Sequence, residues 1–297
     1  MRTKKKLKGN FNQTLAPLLF LSPNIIIFGL FIVVPAILGL RMSLYQWSIF
    51  GEPVFIGLKN FTELFSDSMF WLTLKNTLIY VFLTVPLLLV VSLLLGLLTA
   101  HRLPGIGIFR ALYYVPAMLS LIIVGISWRW ILGEEMGILN YLLKVAGGMP
   151  VHWLTTDTMA KLSLVMVTVW ATAGFYMVMF IAGLQAIPDD LYAAASIDGA
   201  SKWQTFFRIT LPLLRTTVLV VLVLSTINAF KAFELIFVMT GGGPGYATKF
   251  LVQNIYLVAF EQDRMGYAAA NSIILLAIIG LLTMIQFRMT RGELAGE

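Results

Sequence analysis

Six stretches of the chain are almost continuously apolar, near residues 18–40, 76–100, 110–132, 162–184, 213–239 and 267–288, and charges and turn residues collect between them. Each run is as long as the about 20 residues that an α-helix needs to cross a hydrocarbon layer. None alternates with the two-residue period of a barrel strand, and a helix satisfies its own backbone polar groups where no water reaches them. The pattern predicts an all-α membrane protein with six transmembrane helices. They form one domain over 18–289, between a basic tail at 1–17 and a short tail at 290–297.

The segment at 187–212, between the fourth and fifth runs, is polar and carries helix signals of its own. Pro188 suits a first helical position, and Asp189 and Asp190 fall in a first turn, where negative charge complements the helix dipole. Leu191 to Ile197 reads as a short helix that Gly199 stops. Ser201 with Gln204 three residues on has the spacing of a capping box and opens a second helix, which Pro212 breaks or kinks. The product is a helix, a turn and a helix at the membrane surface. Ala193, Ala194 and Ala195 make the first helix thin, so a partner's cleft can approach its backbone closely. An amphipathic linker lying on the membrane is the plainer alternative, although a lipid-anchoring helix places large apolar residues where these alanines stand.

Composition agrees with the pattern: 59% of the 297 residues are hydrophobic and 12% charged. The basic residues also give the chain a direction. Arg2, Lys4, Lys5, Lys6, Lys8, Arg102, Arg110, Lys202, Arg208, Arg215, Arg288 and Arg291 fall on the side of the two tails, against Asp189, Asp190, Asp198, Glu293 and Glu297. On the other side eight basic residues balance eight acids. The positive-inside rule then makes both termini cytoplasmic. This bias, with contact to anionic lipid, accounts for the net charge of +7 and leaves nucleic acid unsupported as a partner. The first run is too long for a signal peptide and lacks a small-x-small cleavage site, so it is read as a retained helix.

Candidate chemistry is scarce. The chain has no cysteine, which excludes thiol nucleophiles, thiolate metal sites and disulfides. Its two histidines, His101 and His152, are isolated in loops and read as solvated side chains, so no metal site and no catalytic residue is expected. An intramembrane serine protease needs a histidine inside the bilayer, and none lies there. The run Gly241-Gly242-Gly243-Pro244-Gly245 with Lys249 misses the spacing of a phosphate loop and follows a membrane helix instead of a strand.

Within the fifth run Asn228, Lys231 and Glu234 recur at three-residue spacing, on or near one helical face. Three readings stand: a Lys231–Glu234 pair that fixes packing, a face that lines a solute path, or a proton-coupling site. Trp170, Tyr176 and Asn271 are further solute-path candidates, because aromatic faces stack on C–H surfaces and amides bind hydroxyls. Ala268, Ala269, Ala270 and Ser272 on the sixth run form a small-residue surface suited to a partner helix. From residues alone, a carrier driven by an ion gradient through Lys231 and Glu234 competes with a partner-driven permease. The lack of a clear internal repeat and the single charged cluster count against the carrier.

The loop residues also resemble a family. Ala194, Ala195, Gly199, Ile209, Leu211 and Pro212 match the cytoplasmic loop motif of binding-protein-dependent ABC importer permeases, written E-A-A, three residues, G, nine residues, I-x-L-P, with Asp198 and Ala200 flanking the glycine. Ala193 stands where the motif has glutamate. Phe55 to Phe61, Phe70-Trp71, Lys75-Asn76-Thr77 and Thr240 to Gly245 are similar to the carbohydrate-uptake branch, which includes maltose-type and glycerol-phosphate-type permeases. The resemblance implies a MetI-like ABC permease fold whose 187–212 loop is a coupling helix, with Ala193, Ala194, Ala195, Asp198, Gly199 and Ala200 as its contact residues. It implies a second, homologous permease subunit, two cytoplasmic ATPase subunits that bind the ATP and Mg, and an external solute-binding protein. This chain would then hold no cofactor of its own and perform no catalysis.

Overall fold

A computed structural model of the chain describes residues 17, 19–49, 51–100 and 104–294. Arg2, Lys4, Lys5, Lys6, Lys8, His101, Arg102 and Glu297, and the side chains of Arg291 and Glu293, lie outside the described residues. Two compact units divide the chain. One comprises Met1–Ser66 and Val258–Ile274, the other Asp67–Leu257 and Leu275–Glu297.

The first unit begins with α1 (Leu19–Met42), which is apolar on all sides and has none of its membrane-length window buried. Such a helix presents its whole circumference to an apolar medium. Proline at position 35 lacks an N–H and crowds the carbonyl four residues back. The chain accommodates it with a widened π-turn at Gly29–Val33, where the Val34 N–H reaches back to the Gly29 carbonyl. After α1 comes a minimal hairpin that the apolar pattern does not predict: β1 (Tyr45–Gln46) pairs antiparallel with β2 (Val54–Phe55). The rings of Tyr45 and Phe55 face each other across the pair, edge to face at 5.3 Å. Helix α2 (Lys59–Ser66) buries Asn60, whose amide donates to the Ser43 and Tyr45 carbonyls at 2.8 and 2.9 Å and so ties the hairpin to the helix.

The second unit starts with α3 (Ser68–Thr99), capped by the Asp67 carboxylate accepting from the Met69 N–H at 2.8 Å. It runs unbroken through Pro86. The third apolar run, expected to be one helix over 110–132, is two: α4 (Ile106–Met118) and α5 (Leu121–Ile131) meet at 97°. Pro116 weakens the last turn of α4, and Leu119 and Ser120 then take extended conformations. Helices α6 (Ile138–Val145), α7 (Asp157–Gln185), α8 (Asp189–Ile197), α9 (Lys202–Leu213), α10 (Arg215–Phe230) and α11 (Glu234–Met239) come next. A second π-turn, Phe206–Thr210, lies immediately before Pro212, with the Leu211 N–H reaching the Phe206 carbonyl. Pro35 and Pro212 are thus absorbed by the same device. The chain bends by 65° between α9 and α10, at Leu214, two residues beyond the expected Pro212.

The core of this unit is α3 laid along α7, with α4 crossing α7 and α10 against α3. Phe70, Tyr80, Leu88, Leu164, Met177 and Phe180 fill it. The crossing of α4 requires glycine at 174, since a Cβ there would lie 1.9 Å from the Tyr113 carbonyl oxygen. The chain ends with α12 (Leu251–Glu261) and α13 (Met265–Leu294). Of the small-residue surface expected to meet a partner, Ala268 and Ala270 on α13 are buried within the chain's own packing, whereas Ala269 is half-buried and Ser272 exposed. Among the described residues α1, α3, α7 and α13 are long and apolar enough to cross a membrane singly. Taking α4 with α5 and α9 with α10 as bent spans gives six.

Candidate functional site

Local sequence signals build the 187–212 segment almost as expected. Pro188 is the N-cap of α8, with ψ at 132°, one position earlier than predicted, and Asp189 and Asp190 occupy the first turn. At the other end the Gly199 N–H donates to the Ser196 carbonyl at 3.2 Å and the Ala200 N–H to the Ala195 carbonyl at 2.9 Å. This paired closure puts residue 199 in the left-handed region, and glycine takes φ of 72° there without a Cβ penalty. The Ser201 hydroxyl then accepts from the Gln204 N–H at 3.3 Å while the Gln204 side chain accepts from the Ser201 N–H at 2.8 Å, the reciprocal capping box. Tyr192 and Thr210 share a hydroxyl hydrogen bond at 3.2 Å that fastens α8 to α9, a contact that no local sequence signal marks.

The exposed face of α8 is narrower than the alanine triplet suggests. Ala193 and Ala194 face outward, whereas Ala195 is buried. Beside them Ile197 is 87% exposed, and Asp198 and Gly199 are exposed while Ala200 is half-buried. A small, rigid, mostly apolar ridge results, without a carboxylate at 193.

The second site is a cavity of about 340 Å³ inside the second unit. Tyr80 and Thr84 from α3, Thr168, Thr172 and Tyr176 from α7, and Ser225 and Asn228 from α10 bring hydroxyl and amide groups to a lining that Leu88, Ala117, Leu121, Ala229, Ala232 and Leu235 otherwise make apolar. The Asn228 amide donates to the Tyr176 hydroxyl at 3.1 Å, and Tyr80 pairs with Thr168 at 2.7 Å. Phe175 and Phe233 add aromatic surface.

Lys231 and Glu234 also line this cavity, but the continuous helix expected over 213–239 is absent. Helix α10 ends at Phe230, Lys231 is its C-cap, and Glu234 opens α11 after non-helical Ala232 and Phe233. Each charge therefore sits at the helix end whose dipole it complements, cation at the C-terminus and carboxylate at the N-terminus. No ion pair joins them among the described residues, which corrects the paired-packing reading. Asn228, Lys231 and Glu234 are brought to one cavity by a break, not by one helical face.

Two other candidates lie elsewhere. Trp170 is not part of the lining and packs edge-on against Trp128 at 5.4 Å. Asn271 belongs to the first unit, is fully buried, and among the described residues has no hydrogen-bond partner on either amide atom. Sequence reasoning missed Tyr80, Thr84, Thr168, Thr172 and Ser225. A signal for them existed: Tyr80 and Thr84, and Thr168, Thr172 and Tyr176, recur every four residues, so each set marks one polar stripe on an apolar helix.

His152 is not an isolated loop side chain. Its Nδ1 lies 2.9 Å from the Glu134 carboxylate, which also accepts from the Thr155 hydroxyl. The Thr155 hydrogen bond first, and the His152 contact second, hold the Glu134 carboxyl below its ordinary value. Buried Asn140 closes the same loop, accepting from the Val151 N–H at 2.9 Å and the Trp153 indole at 3.0 Å. Among the described residues no group of three or more histidine and carboxylate side chains is placed to hold a metal ion.

Comparison with known proteins places this geometry. Residues 70–292 match the family described as "Binding-protein-dependent transport system inner membrane component". The probable ABC transporter permease protein YesP of Bacillus subtilis (strain 168) is 37% identical over 289 residues, covering 96% of this chain and 93% of that protein. The trehalose/maltose transport system permease protein MalF of Thermococcus litoralis is 36% identical over 267 residues, 89% of each. Among solved structures, a chain of a bacterial alginate ABC transporter, in complex with an alginate pentasaccharide-bound periplasmic protein, superposes with a TM-score of 0.84. It is 25% identical, covering 97% of this chain and 98% of that one.

Proposed function

The chain belongs to the family of binding-protein-dependent transport system inner membrane components, and from that premise we propose that it forms half of the translocation path of an importer for a carbohydrate or related polyol. It is a multi-pass ABC transporter permease subunit and not itself an enzyme. The cavity between α3, α7 and α10 is the observation that carries the solute reading. A sugar offers hydroxyl donors and acceptors around an apolar C–H face, and hydroxyl and amide side chains beside aromatic rings complement both. The cavity volume is at the small end of the roughly 300–1,000 Å³ typical of ligand pockets. The trehalose/maltose and alginate systems, whose permeases this chain resembles, support the same class.

Mechanically, the 187–212 loop is the coupling element. Ala193, Ala194 and Ile197 offer the close-contact ridge to a cytoplasmic ATPase subunit, with Asp198, Gly199 and Ala200 shaping its end. The Tyr192–Thr210 bond and the capping box make the loop stiff enough to pass a rigid-body motion into α10, whose Ser225 and Asn228 line the cavity. Both termini are then cytoplasmic. The partners are a second, homologous permease subunit, two ATPase subunits that bind the ATP and Mg, and an external solute-binding protein. An ion-coupled carrier built on Lys231 and Glu234 gains no support, since each charge serves a helix end.

The test is uptake by the importer reconstituted from native membranes, over a panel of neutral oligosaccharides, acidic oligosaccharides and polyols. Asn228→Ala is expected to change the half-saturating concentration for the transported class while the assembly still purifies intact. Unchanged kinetics for every solute would return the cavity to a packing role.

A further inference from the structure

Helix α9 carries a feature that coupling to an ATPase does not use. Trp203 is 74% exposed and Phe207 56%, and their rings stack at 5.8 Å with an interplanar angle of 13°. Two large rings fixed one turn apart in the open make an apolar patch of set orientation. Exposed Lys202 and Arg208 flank it, and among the described residues neither is in an ion pair. From Ser201 to Arg215 there are three cations and no acid.

The bend decides what this patch meets. Helix α9 stands at 65° to α10, the apolar part of a membrane span. Membrane helices tilt by about 20° on average, which leaves α9 roughly 45° or more from the membrane normal. Its axis runs toward the membrane plane at the depth where α10 begins. Tryptophan prefers this depth, with its apolar body in the acyl boundary and its indole N–H in the headgroups. Lysine and arginine extend beside it to anionic phosphates. The small ridge suited to close protein contact is on α8, so the two helices of the loop divide their work.

We propose that the first turns of α9 are an interfacial lipid anchor: the Trp203–Phe207 stack sits among the headgroups, and Lys202 and Arg208 hold anionic ones. The anchor fixes the depth of the pivot at Leu214, about which the stiff α8–α9 loop turns as one body. It does not depend on which solute is carried.

Depth-resolved fluorescence quenching of the full-length chain in vesicles tests this. The vesicles contain anionic and zwitterionic phospholipid brominated at shallow or deep acyl positions, with and without the copurifying ATPase subunits. Trp203→Phe keeps the ring stack, so the difference between wild type and this variant isolates Trp203 among the seven tryptophans. The proposal expects Trp203 to be quenched at least about twofold more by shallow than by deep bromines, with or without ATPase. It also expects this quenching to fall in Lys202→Gln/Arg208→Gln and to lose its dependence on anionic lipid. Quenching by aqueous iodide with no response to brominated lipid would overturn it. So would a Trp203 signal that shifts only when ATPase subunits are added, which would assign the patch to protein contact.

Discussion

Among the described residues, the hydrogen bonds of the 187–212 loop mostly span a few residues, the Ser201–Gln204 box three and the Ala200–Ala195 closure five, while Tyr192–Thr210 reaches eighteen. In the cavity the contacts that matter join distant helices, Asn228 with Tyr176 across 52 residues and Tyr80 with Thr168 across 88. The loop is local, capped and exposed, so a change there alters what it docks to and hardly touches the core. The cavity depends on how α3, α7 and α10 are seated, so it is lost either by removing a polar group or by shifting a helix. The two sites should therefore fail in different ways.

The sharpest separation is expected at Gly199. An added Cβ meets open space there, so bulk alone does no harm. Most side chains cost about 1–2 kcal/mol in the left-handed region, but asparagine and aspartate both tolerate it, so Gly199→Asp and Gly199→Asn differ chiefly in charge. Gly199→Asp, which adds a charge to the docking ridge, should insert normally yet lose uptake and solute-stimulated ATP hydrolysis by about tenfold or more, about 1.4 kcal/mol in the docking equilibrium. Gly199→Asn, which tolerates the conformation and carries no charge, should keep most of both. Normal transport by the Asp variant would remove the coupling role from the loop.

At the other extreme is Gly174, where α4 crosses α7. Gly174→Ala forces a methyl into the Tyr113 carbonyl and should destabilise the chain by about 1–3 kcal/mol, read as a lower melting temperature of the purified protein. Gly199→Asp should leave that temperature nearly unchanged. Equal losses in the two variants would erase the distinction between a local loop and an assembled cavity.

Within the cavity, Asn228→Ala removes one hydrogen-bonding amide, worth about 1 kcal/mol or roughly fivefold in apparent affinity. Thr172→Val, which keeps the shape and removes a hydroxyl, should act in the same direction and no more strongly. Uptake at varied solute concentration checks both.

The smallest effect belongs to the Glu134–His152–Thr155 cluster. The folded carboxyl titrates below its unfolded value, so its contribution to stability is complete above the ordinary carboxylate range and is lost as pH falls through the lowered folded value. Melting temperature measured from neutral to acidic pH should fall more steeply for wild type than for Glu134→Gln. Parallel curves would show that the cluster does not stabilise the loop.

The same contrast explains how much of the molecule was legible in its sequence. The six apolar runs coincide with the candidate membrane spans, four as single helices and two as bent pairs, because hydrophobic length is a local property. Asp189, Gly199, Ser201 and Gln204 predicted the loop for the same reason. Breaks were harder: Pro86 sits inside an unbroken helix, whereas Pro116 precedes a 97° turn, and residue type alone does not tell the two apart. Lys231 and Glu234 looked like neighbours on one face because the break at Ala232 and Phe233 has no proline or glycine to announce it. Threonine and tyrosine stripes on α3 and α7 carried the cavity's polar lining, but periodicity alone did not say that the two stripes face one another. Trp170 and Asn271 were chosen by residue type, without such a stripe.

One comparison in a single reconstituted preparation tests the account most directly: solute uptake and ATP hydrolysis measured together, against solute concentration, for wild type, Gly199→Asp and Asn228→Ala. The account predicts that Gly199→Asp loses maximal uptake and stimulated hydrolysis at any concentration, while Asn228→Ala shifts the half-saturating concentration with stimulated hydrolysis retained at saturation. If Gly199→Asp transports normally, or if Asn228→Ala follows the wild-type curve for every solute tried, the division of this chain into a coupling loop and a solute cavity is wrong.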